Sequence, residues 1–113
     1  MRGRGDTPLI FFEKRCLMFK EGKVQADIID ALECEFPGCI VLKNDPNYIQ
    51  GIPDLTILYK DKWAVLEVKR SEKEIHQPNQ DYYVETLDGM SFSRFIFPEN
   101  KDQVILDLKE FFN

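Results

Sequence analysis

Asp54, Glu67 and Lys69 are the residues of this chain whose types and spacing best suit chemistry. They stand in two short runs, Gly51-Ile52-Pro53-Asp54 and, one hairpin later, Glu67-Val68-Lys69. Side chains alternate across a strand, so in Trp63–Lys69 the residues Trp63, Val65, Glu67 and Lys69 share one face. Ala64, Leu66 and Val68 share the other. Glu67 and Lys69 thus interrupt an apolar face near the strand's C-terminal end. Charges on a core face cost stability unless they are paired or bind a metal. Asp54 opens the preceding strand, and a hairpin sets the start of one strand beside the end of the next. Asp54 is therefore expected beside Glu67 or Lys69. Pro53 holds Ile52 extended, and Gly51 lets the backbone bend or approach a ligand closely.

Two carboxylates converging with one lysine suit a hard divalent cation, Mg2+ or Mn2+. Magnesium takes oxygen ligands and keeps several waters, which leaves room for phosphate oxygens. Asp54 and Glu67 are the expected ligands, with the Val68 backbone carbonyl as a candidate third. Such a cation lowers the pKa of a bound water and neutralises charge on a scissile phosphate. Lys69 can orient the attacking water or stabilise the negative transition state. A hairpin ion pair would explain Asp54 or Lys69 taken singly; the three together on an apolar face favour a functional site.

The elements that must position these residues are legible from periodicity. Val24, Ile28, Leu32 and Phe36 recur every four residues and predict a helix over 21–36, ended by Pro37-Gly38. Residues 39–43 read as a short buried strand, 44–53 as a loop rich in Asn, Asp, Gly and Pro, and 54–59 as a second strand. A tight connection at 60–62 leads into the third strand, 63–69. Pro78 suits a first helical turn, the helix continues over 79–87, and Asp88-Gly89 is expected to stop it. Residues 93–97 form a fourth strand. Asn100 and Gln103 predict a capping box opening a last helix whose apolar stripe is Val104, Ile105, Leu108, Phe111 and Phe112. The three consecutive strands should form an antiparallel meander, and the fourth, reached by a helical crossover, should lie parallel to its predecessor. The fold class is α/β, a mixed four-stranded sheet flanked by helices.

Composition bounds the rest. The chain has 113 residues, 43% of them hydrophobic and 31% charged, which suits one globular domain. Residues 18–113 should form that domain and 1–17 an N-terminal extension or arm, with Met18 as an alternative start. Residues 1–20 hold five basic and two acidic side chains, a balance of +3; the remaining ten basic and eighteen acidic give -8, for a formal net charge of -5. Taken alone, that charge argues against nucleic acid as partner. Cys16, Cys34 and Cys39 make an odd count with no CxxC pair and only His76 as histidine. Free thiols in a reducing cytosol are therefore expected, rather than a disulfide framework or zinc site. The longest apolar run, Pro8 to Phe12, is far short of the roughly 20 residues a membrane span needs. The expected location is the cytoplasm.

With GIPD opening one strand and EVK closing the next, the chain resembles the PD-(D/E)XK nuclease superfamily. Within it, the chain is similar to small VRR-NUC-type, phage Holliday-junction-resolvase-like nucleases. The likeness covers roughly residues 18–112, and the element order agrees with that superfamily's restriction-endonuclease-like αβββαβα core. It implies that Asp54, Glu67 and Lys69 take the catalytic roles, and that Gln80, in the helix after EVK, stands near the active site. Glu21 matches the position of an additional metal-site acid; it fits equally well as a first-turn glutamate favoured by the helix dipole. Arg70 and Lys73 follow the catalytic strand and either hold phosphates or form a solvated charge cluster with Glu72 and Glu74. Lys43 and the loop residue Tyr48 are further candidates for nucleic-acid contact. His76 reads as a surface polar residue.

The function these residues imply is metal-dependent hydrolysis of DNA phosphodiester bonds. The likeness points to branched DNA, with a homodimer cutting two strands, and to no membrane and no small-molecule cofactor. Two alternatives stay open. One is a nicking, flap or exonuclease activity on other DNA. The other is a catalytically silent phage module that binds nucleic acid or protein. Net charge describes the far field rather than the site, so -5 predicts weak, metal-dependent and salt-sensitive binding rather than none.

Overall fold

A computed structural model describes residues 24–113; the expected extension over 1–17, Cys16 and Glu21 lie outside the described residues. Within them the chain runs helix α1 (Val24–Glu35), strands β1 (Ile40–Lys43), β2 (Leu55–Tyr59) and β3 (Lys62–Val68), helix α2 (Pro78–Met90), strand β4 (Ser93–Ile96) and helix α3 (Lys101–Phe112). The sheet has the order β1-β2-β3-β4. β1 with β2 and β2 with β3 are antiparallel, and β3 with β4 is parallel. The expected α/β class and mixed four-stranded sheet are therefore observed.

One face of the sheet carries the main core. Ile28 and Leu32 of α1 stand four residues apart on one side of the helix and are fully buried, as are Leu55 and Ile57 of β2 and Ala64 and Leu66 of β3. Val104, Leu108 and Phe112 of α3 complete this layer with Phe92 and Ile96. Each fully buried Leu or Ile stabilises by roughly 1.5–3 kcal/mol. The rings of Phe36, Tyr59 and Phe112 form a triangle with centroids 5.2 to 5.4 Å apart. A Lys109–Glu35 ion pair at 2.8 Å ties α3 to α1. Gly38, at φ +91, takes the left-handed turn after α1.

The other face holds α2, which packs on β4 and β3. It runs through Asp88 and Gly89 to Met90, so the expected stop at Asp88-Gly89 is overturned. The Asp88 carboxylate reaches forward instead, accepting from the Ser93 N–H at 3.1 Å and from Arg94 at 2.5 Å. It joins the helix end to β4. The expected Asn100–Gln103 capping box does not form. Asn100 accepts from the Phe97 N–H at 2.8 Å and donates to the Phe95 carbonyl at 3.0 Å, while Gln103 donates to Asp107 at 2.9 Å. Helix α2 has the reciprocal feature: the Gln80 side chain accepts from the Gln77 N–H at 3.0 Å.

The cysteines divide. Cys39 is a free, half-buried thiol, and burial followed by the charge of Glu33 pushes its pKa up to about 11. Cys34 is disulfide-bonded, which corrects the expectation of free thiols at that position. No helix among the described residues is long and apolar enough to cross a membrane.

Candidate active site

β3 delivers Glu67 in its last turn of pleat and Lys69 just past its end. Val65, Glu67 and Lys69 fall on the α2 face, and Leu66 on the core face, as alternation requires. Thr56 pairs with Val65, so two residues farther along Asp54 comes opposite Glu67. The Asp54 Oδ2 accepts the Val68 N–H at 2.9 Å. The Val68 N–H thus helps to hold the Asp54 carboxylate in place.

Glu67 and Lys69 are buried, at 4% and 3% exposure. Gln80 connects them from α2. Its Nε2 donates to Glu67 Oε2 at 2.9 Å, and its Oε1 accepts from Lys69 Nζ at 2.7 Å. The Gln77 N–H also donates to that Oε1, so both neighbours fix the amide the same way round. Lys69 Nζ donates a second bond to the Ile75 carbonyl at 3.1 Å and lies 4.0 Å from Glu67 Oε2. Glu67 Oε1 is buried and accepts no hydrogen bond of good geometry among the described residues, while the Asp54 N–H lies near enough to the carboxyl to oppose the rise in its pKa. Burial, then the charge of Asp54, pushes the Glu67 carboxyl up to about 7. Burial also raises Asp54, against the opposing pull of the Val68 N–H and of Lys69.

The donor set suits a hard cation. A carboxylate oxygen buried without a partner, facing a second carboxylate, is the arrangement whose cost a divalent cation offsets. No group of three or more His, Cys, Asp or Glu able to hold a metal exists among the described residues. Asp54 and Glu67 form a two-carboxylate site, which suits magnesium with its retained waters better than an all-protein cage.

Gly51 sets the distance between the two halves of the site. Its φ is +90, and a Cβ there would stand 2.4 Å from the Asn79 Cβ and 2.9 Å from the Asn79 carbonyl carbon. The loop before Asp54 thus lies backbone-close to the turn of α2 that carries Gln80. Asn44 braces the same loop. Its Nδ2 donates to the Pro53 carbonyl at 2.8 Å and to Thr56 Oγ1 at 2.9 Å, and its N–H donates to the Asp54 carbonyl at 2.8 Å.

The structure therefore brings together Asp54, Glu67, Lys69 and Gln80. Lys43, Tyr48, Arg70 and Lys73 are exposed and make no hydrogen bond to that cluster among the described residues. Arg70 sits 3.7 Å from Glu74; the Arg70 N–H is the first of the causes holding the Glu74 carboxyl below its usual range. Sequence reasoning missed Asn44, Thr56, the Ile75 carbonyl and the His76 contacts. Asn44 had no signal beyond that of an ordinary turn residue, and a backbone carbonyl has none. The chain matches no protein family, no curated protein and no solved structure.

Proposed function

We propose that this chain is a metal-dependent, structure-selective DNA endonuclease of the PD-(D/E)XK kind, similar to Holliday junction resolvases. The observation that carries the reading is the buried Glu67–Gln80–Lys69 chain beside Asp54, with Glu67 Oε1 left without a hydrogen-bond partner among the described residues. A purely structural ion pair would satisfy its own oxygens. The sequence resemblance and the observed element order, helix, three strands, helix, strand, helix, support the same reading.

In this reading Asp54 and Glu67 hold Mg2+ or Mn2+, with the Val68 carbonyl and Glu21 as further candidates. When bound, the cation supplies an activated water and neutralises phosphate charge. Lys69, desolvated and held by Gln80, stabilises the charge that develops on the scissile phosphate. Gln80 keeps Glu67 and Lys69 apart, so that the ammonium is not spent on the carboxylate. Arg70, Lys73, Lys43 and Tyr48 are proposed to contact the DNA around the site. A homodimer in the cytoplasm, reading the shape of a branch, completes the proposal.

The test is cleavage of a four-way junction, a flapped duplex and a linear duplex by purified protein with Mg2+ or Mn2+. Junction cleavage should exceed linear cleavage, and Lys69→Ala and Asp54→Asn should each lower the rate by about a hundredfold or more. No cleavage of any substrate, or full activity in Lys69→Ala, overturns the nuclease reading. Preference for linear or flapped substrates instead supports the nicking or exonuclease alternative.

A further inference from the structure

The segment 70–77 between β3 and α2 has no regular structure, yet both ends are tied down. At its start the Arg70 N–H donates to Glu74 Oε1 at 2.6 Å and the Glu74 N–H to the Ser71 carbonyl at 3.2 Å. At its far end His76 Nδ1 lies 3.1 Å from Asp81 Oδ1. The His76 ring stacks on Phe95 with centroids 3.9 Å apart and planes inclined at 18°. Phe95 pairs in register with Glu67, so the ring under His76 is the next-strand neighbour of the site's glutamate. Between the two anchors stands Ile75, whose carbonyl accepts from Lys69 Nζ. The Ile75 side chain is 77% exposed and holds nothing in place. Its carbonyl is therefore located by its neighbours, and the adjoining anchor is His76.

A lysine ammonium has three donors. Here Gln80 Oε1 takes one and Ile75 O another. Glu67 Oε2, at 4.0 Å, stands just beyond hydrogen-bond reach. Removing the Ile75 carbonyl would leave a buried ammonium short of an acceptor, and the nearest replacement is that carboxylate. The two groups would then close on each other.

We propose that His76 is a positioning residue. By stacking on Phe95 and bonding Asp81, it holds the Ile75 carbonyl where it draws Lys69 away from Glu67. The inference rests on the reading of Lys69 as the group that acts on phosphate. It concerns a residue that touches neither substrate nor the reacting atoms.

The test compares wild type with His76→Ala, which loses both contacts, His76→Phe, which keeps the stack, and Asp81→Ala, which removes only the hydrogen bond. Two readouts are taken on the full chain: steady-state junction cleavage, and the NMR signals of the Lys69 side chain. His76→Ala should lower kcat by about tenfold or more with KM within about twofold, because small misplacements of a reacting group are costly. The Lys69 signals should move in His76→Ala and return most of the way in His76→Phe. Unchanged kcat and unchanged Lys69 signals in His76→Ala overturn the inference. So does loss of kcat that His76→Phe does not restore while the Lys69 signals stay put. If His76→Ala does not fold, Asp81→Ala is held to the same two criteria, with a smaller shift expected. If wild type cleaves nothing, the nuclease reading fails, and the Lys69 signals still decide the role of His76.

Discussion

Glu67 places a carboxyl at 4% exposure opposite a second carboxyl, and its proton equilibrium carries the cost. Burial and Asp54 raise its pKa from 4.5 to about 7. Between those values the native state binds more protons than the unfolded chain. Stability from this group is therefore fully present below the unfolded value and is lost as pH rises through about 7. Asp54 is shifted in the same direction and adds to the trend. Glu67→Gln removes the ionisation while keeping an oxygen for the Gln80 amide. In EDTA at about pH 8 the variant should be more stable than wild type, by at most roughly 3 kcal/mol at 1.36 kcal/mol per pKa unit. At about pH 4 the gap should close. Thermal melts across that range check it; a wild type that gains stability relative to the variant as pH rises would contradict it. Added Mg2+ should reverse the order, because an ion that binds only the native state raises its stability by mass action. Wild type should then melt higher with Mg2+, and Glu67→Gln should respond little.

At the scale of elements, the site depends on a loop and a helix meeting backbone to backbone. Gly51→Ala puts a Cβ 2.4 Å from that of Asn79 at a φ of +90. The combined clash and strain should destabilise the fold by about 1–3 kcal/mol. The loop would be pushed off α2, separating Asp54 from Gln80. Asn79→Gly removes the nearest clashing atom but leaves the Asn79 backbone, so it should recover only part of the loss. A double-mutant cycle by urea denaturation should then show a coupling above about 0.5 kcal/mol; strict additivity would mean that backbone strain alone matters. Much of this level was legible in the sequence. The alternation of Val65, Leu66 and Glu67 and the four-residue recurrence of Ile28, Leu32 and Phe36 are fixed by burial, a large and non-directional effect. The GIPD and EVK runs located Asp54, Glu67 and Lys69 by strand geometry alone. The polar details were not legible. Asn100 was expected to cap α3 and instead spans Phe97 and Phe95; Asp88 was expected to end α2 and instead holds Ser93 and Arg94. Each such side chain has several partners of similar energy within reach, and the choice among them depends on residues distant in sequence.

At the scale of the molecule, the described helices cover the sheet asymmetrically. Helices α1 and α3 shield one face, whereas on the other face α2 packs chiefly on β3 and β4. On that second face Ile40 and Leu58 are direct cross-strand partners, and Leu42 pairs with Thr56. Their exposures are 55% for Ile40, 45% for Leu42 and 38% for Leu58. These aliphatic residues share one face of the two strands that α2 leaves bare, on the side of the sheet where Glu67 and Lys69 sit. A paired enzyme needs a self-complementary patch, since a two-fold seam sets the same surface against itself. An uncharged aliphatic patch satisfies that condition, whereas the acidic excess of a chain at -5 opposes association elsewhere on its surface. The homodimer proposed for branched DNA should therefore form across β1 and β2. Sedimentation at micromolar concentration should give twice the chain mass of 13.3 kDa, and Ile40→Glu should return the monomer. That variant leaves Asp54, Glu67, Lys69 and Gln80 untouched, so it separates pairing from chemistry. It should still nick one strand of a junction yet fail to cut two strands in one encounter. A wild-type monomer would remove the dimer from the proposal and leave a single-strand nickase, whereas paired cutting that survives Ile40→Glu would move the seam away from β1 and β2.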